Sequence, residues 1–377
     1  MTMRRRSFLG GLLMSPIVAG CSEPESKPPQ IRDPWESFDD FLNQRAAAGE
    51  FSGTVLVTRG AQTVLERGYG PADRQRGVAN TANTPYCIAS LGKMFTAVAV
   101  ADLAGQGRLA FTDPIGRYLS GFPARLADKV TLHHLLTHTA GLGDVPRGEP
   151  GEPAALAEEV ARIAAEPPQF EPGARFAYSN AGFVVLGAVI ERVTGAAYAD
   201  HVRERVLAPA GMSHTEIRPY RPAEVPGMAH GYMLTGADGR PLPPGPGARS
   251  GTLRDNADAP QVVNPAGGAI STAADLLGFA RALMEHRLLD PAGTDTVLTG
   301  KVDSPRPGGP AQDRYGYGFS DRRVNGVRVV GHNGGTPGYE AQLDIYPDRA
   351  HTVILLTNQD AVLVPALRRT EDLLTAA

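Results

Sequence analysis

Segments with strand character gather near the two ends of this chain, and a long Ala- and Leu-rich stretch of helical character separates them. Gly53–Thr58 and Thr63–Tyr69 read as strands, joined by Arg59-Gly60-Ala61-Gln62 as a hairpin. Beyond residue 312 the strand pattern returns in Tyr315–Ser320, Val327–His332, Ala341–Tyr346 and Thr352–Thr357. Helical spacing marks Trp35–Ala48 at the front and Val362–Leu374 at the back. The packing that satisfies this order is an α+β fold, an α/β sandwich. An antiparallel sheet built from both chain ends is flanked by the N- and C-terminal helices, with a large, mostly helical insertion. The expected division is a sheet region of residues 35–87 and 312–377 around a helical region of 88–311. Within the latter, Thr272-Ala-Ala-Asp275 reads as a capping box, and the polar run Thr235–Pro260 as a loop.

The first 21 residues, MTMRRRSFLGGLLMSPIVAGC, place three arginines before an apolar run too short to span a bilayer. That is the pattern of an export signal. Arg5-Arg6-Ser7-Phe8-Leu9 resembles a twin-arginine signal, and Val18-Ala19-Gly20-Cys21 a bacterial lipobox. The expectation is therefore an exported, membrane-anchored lipoprotein on the periplasmic side, acylated on Cys21, with cleavage near Ala19 and release as the alternative. Residues 22–34 are Pro-rich and charged, as in a tether. Removing Arg4, Arg5 and Arg6 from the 37 basic residues leaves 34 against 40 acidic ones, with no basic block, which argues against nucleic acid as a partner. Cys87 then stands alone and reads as a small buried apolar residue.

Only four of the 37 basic residues are lysines: Lys27, Lys93, Lys129 and Lys301. Lys93 lies in the apolar run Ile88-Ala-Ser-Leu-Gly-Lys-Met-Phe-Thr-Ala-Val, where a charge is expensive. Arginine holds its proton permanently, whereas a desolvated lysine can release it. Ser90, three residues earlier, shares its helical face. At the start of a helix the serine has backbone N–H groups and a positive dipole end nearby, suited to a developing oxyanion. A deprotonated lysine one turn on can accept the hydroxyl proton. On the tetrapeptide alone, an N-capping serine followed by a snorkelling lysine fits equally well.

Later motifs extend the pattern. Tyr178-Ser179-Asn180 precedes an apolar helix, and His332-Asn333-Gly334-Gly335 ends a late strand. With Leu135-Leu-Thr-His-Thr-Ala-Gly-Leu142 and Pro265-Ala-Gly-Gly-Ala-Ile-Ser-Thr-Ala-Ala-Asp-Leu276, the chain over residues 35–375 resembles the serine β-lactamase and penicillin-binding-protein superfamily. The likeness is to the branch of class C β-lactamases, D,D-peptidases, D-aminopeptidases and family VIII esterases. No GxSxG elbow competes with it. The resemblance implies Ser90 as nucleophile, Lys93 as its activator, and Tyr178 as phenolic base or proton shuttle. It implies Asn180 as a partner of substrate and lysine, His332 and Gly334 as the strand edge along which substrate lies, and the N–H groups of Ser90 and Gly335 as oxyanion hole. Whether Lys93 or Tyr178 takes the serine proton stays open. His133, His134 and His138 bunch together, but they lie in a stretch that the family uses for packing, so neither metal nor cofactor is expected.

Class C β-lactamases carry lysine where this chain has His332, and a largely neutral histidine grips a substrate carboxylate less firmly. The expected activity is thus a serine hydrolase, first a carboxylesterase, cleaving a small-molecule ester or amide. The alternatives are a D-aminopeptidase or D,D-carboxypeptidase on peptidoglycan-derived substrates, a weak β-lactamase, and a non-catalytic binding protein that keeps the pocket.

Overall fold

A computed structural model describes residues 2, 33–145, 155–240, 242, 251–304 and 313–376. Cys21, the leader and residues 22–32 of the tether lie outside the described residues, as do residues 241 and 243–250 of the expected Thr235–Pro260 loop.

The architecture is that of an α+β fold centred on one antiparallel sheet of eight strands. In chain order these are β1 (Gly53–Arg59), β2 (Gln62–Tyr69), β3 (Val302–Asp303), β4 (Arg314–Tyr315), β5 (Ser320–Val324), β6 (Val327–Thr336), β7 (Tyr339–Tyr346) and β8 (His351–Thr357). Across the sheet the order is β2-β1-β8-β7-β6-β5-β4-β3. Strands from the early and late parts of the chain meet one strand in from the β2 edge, where β1 pairs with β8 in the register Gly53↔Thr357 to Arg59↔His351.

Period-two alternation sorts the side chains of this sheet onto two faces. Val55, Val57, Val329, Val353 and Leu355 join the cluster that holds Phe38 and Leu42 of α1 (Pro34–Ala47) and Leu363 and Ala366 of the last helix, Leu363–Thr375. Leu56, Val330, Leu343, Ile354 and Leu356 join the opposite cluster, shared with the helical region. The last helix is also tied down by Arg322, buried between Asp344 of the sheet and Glu371 of the helix. Removing one member of such a buried ionic group strands the others in a low-dielectric interior, at a cost of about 3–5 kcal/mol.

The helical region contributes α2 (Gly92–Gly105), α3 (Asn180–Thr194) and α4 (Ala273–Met284); α5 is the last helix, Leu363–Thr375. Almost every side chain of α2 is buried, and Phe95 meets Phe279 of α4 edge-on at 5.0 Å. α2 is therefore a central core helix, and Lys93 in its first turn sits where water does not reach, whereas Asp102 near its end pairs with Arg205.

Four expectations change in detail. Tyr315–Ser320 is two strands, because Gly316–Phe319 turns between them with Gly318 at φ +73°. That turn is pressed onto α2: a Cβ on Gly318 would lie 2.9 Å from the Lys93 carbonyl oxygen. The sheet also takes its edge strand, β3, from inside the stretch expected to be helical, through the pairs Arg314↔Asp303 and Tyr315↔Val302. Part of the Thr235–Pro260 run forms a strand, Thr252–Asp255, paired with Tyr232–Thr235. Finally, Thr272 accepts the Asp275 N–H as a cap should, but the Asp275 carboxylate instead takes the His214 N–H and the Thr215 hydroxyl.

Candidate active site

Ser90 sits in a single 3₁₀ turn, Ala89–Leu91, that leads directly into α2. Its hydroxyl makes no helix cap, so it is free for other partners. The turn is held in an unusual conformation, with Ala89 at φ +44°. A non-glycine residue there stores strain that its surroundings must impose. Two close backbone approaches do so. A Cβ on Gly334 of β6 would lie 2.5 Å from the Ile88 carbonyl oxygen and 3.1 Å from the Ser90 nitrogen. A Cβ on Gly267 would lie 2.4 Å from the Ala89 oxygen, and the Gly268 N–H donates to that same oxygen at 3.0 Å. Ser90 is thus clamped between the sheet and the Pro265–Ala269 segment.

Lys93 is fully buried. Its Nζ lies 3.0 Å from Ser90 Oγ, 2.7 Å from Asn180 Oδ1 and 2.7 Å from the Ala266 carbonyl oxygen. The amide oxygen and the carbonyl can only accept. In the neutral amine they occupy its two N–H bonds, which leaves the lone pair for the Ser90 hydroxyl. Burial pulls the amine from the ordinary 10.5 down to about 7, opposed by the negative charge of Asp144. The neutral form is therefore well populated near neutral pH.

Tyr178 hydrogen-bonds Ser90 through its side chain. Its ring is nearly half exposed along the cleft and lies 4.9 Å from Lys93 Nζ at the centroid. Burial of the phenol raises it above its ordinary value; the Ser90 hydrogen bond pulls it down and Asp144 lifts it further. Tyr178 consequently keeps its proton at neutral pH. Behind it stacks the buried His138 at 4.3 Å, whose Nδ1 accepts the Ser179 N–H. His133 bonds the Tyr317 hydroxyl, and His134 closes a capping box with Thr131. All three histidines of that stretch are engaged in packing and capping.

His332 lies on β6, as expected, but its imidazole turns inward. Nε2 faces the Tyr315 hydroxyl at 2.8 Å and Nδ1 the Asn333 carbonyl. Since a carbonyl only accepts, Nδ1 carries the ring proton and Nε2 accepts from the tyrosine. Burial, with Lys93 adding to it, lowers His332 to about 3. The ring is neutral across the physiological range and spends both nitrogens on the protein.

β5 accompanies β6 only as far as Gly331, and among the described residues no strand pairs with the next residues of β6 on that side. Gly331 directs its carbonyl toward β5, where it accepts from Ser320 Oγ. Alternation then turns the N–H and carbonyl of Asn333 and Gly335 to that same side. Gly335 meets nothing within 4 Å of a would-be Cβ, in contrast to Gly334. The structure thus brings Ser90, Lys93, Tyr178 and Asn180 together, with Gly334 packed against the Ser90 turn and Gly335 on the adjoining edge.

Two participants were absent from the sequence reading. The Ala266 carbonyl belongs to the backbone of a recognised segment, and no side chain announces it. Asp144 stands in the Gly-rich loop after Leu142, and its Oδ1 accepts from both the Asn180 N–H at 3.3 Å and Nδ2 at 3.2 Å.

A family model described as Beta-lactamase matches residues 38–377. The chain belongs to the Beta-lactamase family. It is a serine hydrolase of that family, related to penicillin-binding proteins and esterases. It is 28% identical over 324 residues to penicillin-binding protein 4* of Bacillus subtilis, across 82% of this chain and 69% of that protein. Esterase EstB of Burkholderia gladioli is 37% identical over 193 residues, 46% of this chain and 48% of the esterase. The crystal structure of a penicillin-binding protein from Bacillus halodurans superposes with a TM-score of 0.75 at 29% identity, covering 88% of this chain and 98% of that one. Within the Beta-lactamase family, then, its relatives carry both esterase and penicillin-binding names.

Proposed function

We propose that this protein is a carboxylesterase that cleaves neutral acyl esters through an acyl-enzyme on Ser90. The observation that carries the choice is the neutral, fully bonded His332. A site that holds a substrate carboxylate, as on a penicillin or a D-Ala terminus, needs a cation beside the strand edge, and an imidazole lowered to about 3 supplies none. The 37% identity to an esterase over 193 residues, 46% of this chain, supports the same reading.

In this mechanism Ser90 Oγ attacks the ester carbonyl carbon while the lone pair of Lys93 takes its proton. The oxyanion forms against the N–H groups of Ser90 and Gly335. As the C–O bond breaks, Tyr178 protonates the departing alkoxide, and the Lys93 ammonium returns its proton to the phenolate. Water then releases the acid by the same steps in reverse. Asn180 and the Ala266 carbonyl hold the amine with its lone pair toward the serine. For location, we infer a lipid anchor on Cys21 that keeps the domain at an extracytoplasmic membrane surface.

The deciding experiment runs a p-nitrophenyl butyrate, a chromogenic cephalosporin and a D-Ala-D-Ala peptide in parallel on wild type and Ser90→Ala. The ester should be turned over with the highest kcat/KM, and the substitution should abolish it. A higher kcat/KM on the cephalosporin or the peptide would overturn the esterase reading. Failure of a fluorophosphonate to add its mass to Ser90, with no turnover of any of the three, would favour a binding protein.

A further inference from the structure

Ser179 occupies the N-cap position of α3, yet its side chain caps nothing: its hydroxyl donates to the Gly143 carbonyl at 2.5 Å. The first N–H of the helix is taken instead by a residue 36 positions away, Asp144, whose Oδ1 accepts it at 3.3 Å. The same oxygen accepts Asn180 Nδ2 at 3.2 Å and the Val145 N–H at 2.9 Å. A primary amide has one accepting and one donating end. By claiming the donating end, the carboxylate leaves Asn180 Oδ1 to face Lys93, where it accepts at 2.7 Å.

We propose that Asp144 is a positioning residue of the acyl-transfer site: its carboxylate caps α3 from outside, fixes which end of the Asn180 amide meets Lys93, and places a negative charge where it acts on the catalytic amine. Its catalytic meaning rests on the reading of Lys93 as base. The other ionisable groups that face Lys93 carry no charge near neutral pH. His138, from the loop after the 132–136 helix, and His332, from β6, are both held below their ordinary values by burial, with Lys93 adding to it. Tyr178, at the entry to α3, is held above its own. Asp144 is thus the charged group among the described residues that opposes the burial of Lys93. It also lifts Tyr178. One exposed carboxylate thereby restrains both proton-carrying groups in the same direction, toward their protonated forms.

Asp144→Asn separates charge from geometry, because the amide keeps an oxygen for the helix N–H while the charge goes. The readout is the ionisation of Lys93 itself. With four lysines in the chain, a protein labelled with [ε-13C]lysine gives a spectrum sparse enough for Lys93 to be assigned by loss of its signal in Lys93→Met. The Lys93 titration midpoint should fall in Asp144→Asn, by roughly a threefold change in ionisation constant, and return in Asp144→Glu. Salt at about 1 M should narrow the gap between wild type and Asp144→Asn by screening an exposed charge. The acid limb of kcat/KM for ester hydrolysis should move to lower pH in parallel. A Lys93 midpoint that is the same in wild type and Asp144→Asn would overturn the proposal, since a capping residue without electrostatic influence lowers thermal stability and leaves that midpoint alone. The NMR measurement needs no substrate, so it stays distinct from failure of the esterase reading, which would appear as a higher kcat/KM on the cephalosporin or the peptide.

Discussion

Lys93→Met should make this protein more stable at neutral and acid pH while removing its activity. Unfolding returns the lysine to water, where it ionises at its ordinary 10.5 rather than at about 7. A group lowered in the folded state burdens folding fully below the folded value, and the burden lifts as pH rises toward the unfolded one. The gap between the two values amounts to about 5 kcal/mol at low pH and roughly 2 kcal/mol by about pH 9. Methionine fills nearly the same volume without a charge, but it deprives Asn180 Oδ1 and the Ala266 carbonyl of their donor, at about 1–2 kcal/mol each. The variant should therefore gain about 1–3 kcal/mol near pH 6, a few degrees in Tm, and lose that gain near pH 9. Thermal melts of both proteins across this range, monitored by circular dichroism, read the difference directly. A methionine variant that melts below wild type at pH 6, or a Tm difference unchanged between pH 6 and pH 9, would refute the reasoning. Ester turnover by the variant should sit at the Ser90→Ala background.

The neighbouring glycines of β6 should differ sharply. Gly334→Ala drives a methyl group into the Ile88 carbonyl and the Ser90 nitrogen, so kcat/KM should fall by about a hundredfold as the nucleophile shifts, whereas Gly335→Ala has open space and should leave Tm unchanged. Cys21→Ser should move the protein from the membrane to the soluble fraction on cell fractionation; unchanged membrane association would reject the lipid anchor.

The fold was legible because both signals it needs are local. Continuous apolar runs such as Thr54–Thr58 and Val353–Thr357 mark strands buried on two faces, and their placement at opposite ends leaves a shared sheet as the economical solution. Ser90 and Lys93 were legible because spacing alone puts them on one helical face, and lysine is scarce in this chain. What stayed hidden depends on partners distant in sequence. His332 gives no local sign that Tyr315 and the Asn333 carbonyl will claim both its nitrogens, least of all while Tyr315 reads as part of one unbroken strand. Ala266 acts through a carbonyl that every residue possesses. Asp144 follows a glycine in a loop, and its grip on Asn180 depends on how that loop folds back over a helix end.

Pairing Gly53 with Thr357 has a consequence for how the molecule comes into being. Bringing these residues together closes a loop of roughly 300 residues, and contacts so distant in sequence make for slow, late-committing folding. A growing chain that has not yet released β8 leaves β1 with one edge unpaired, an invitation to pair with another chain. Synthesis must therefore run roughly 300 residues past β1 before β1 and β8 can join, and until then that edge has to be kept from other chains.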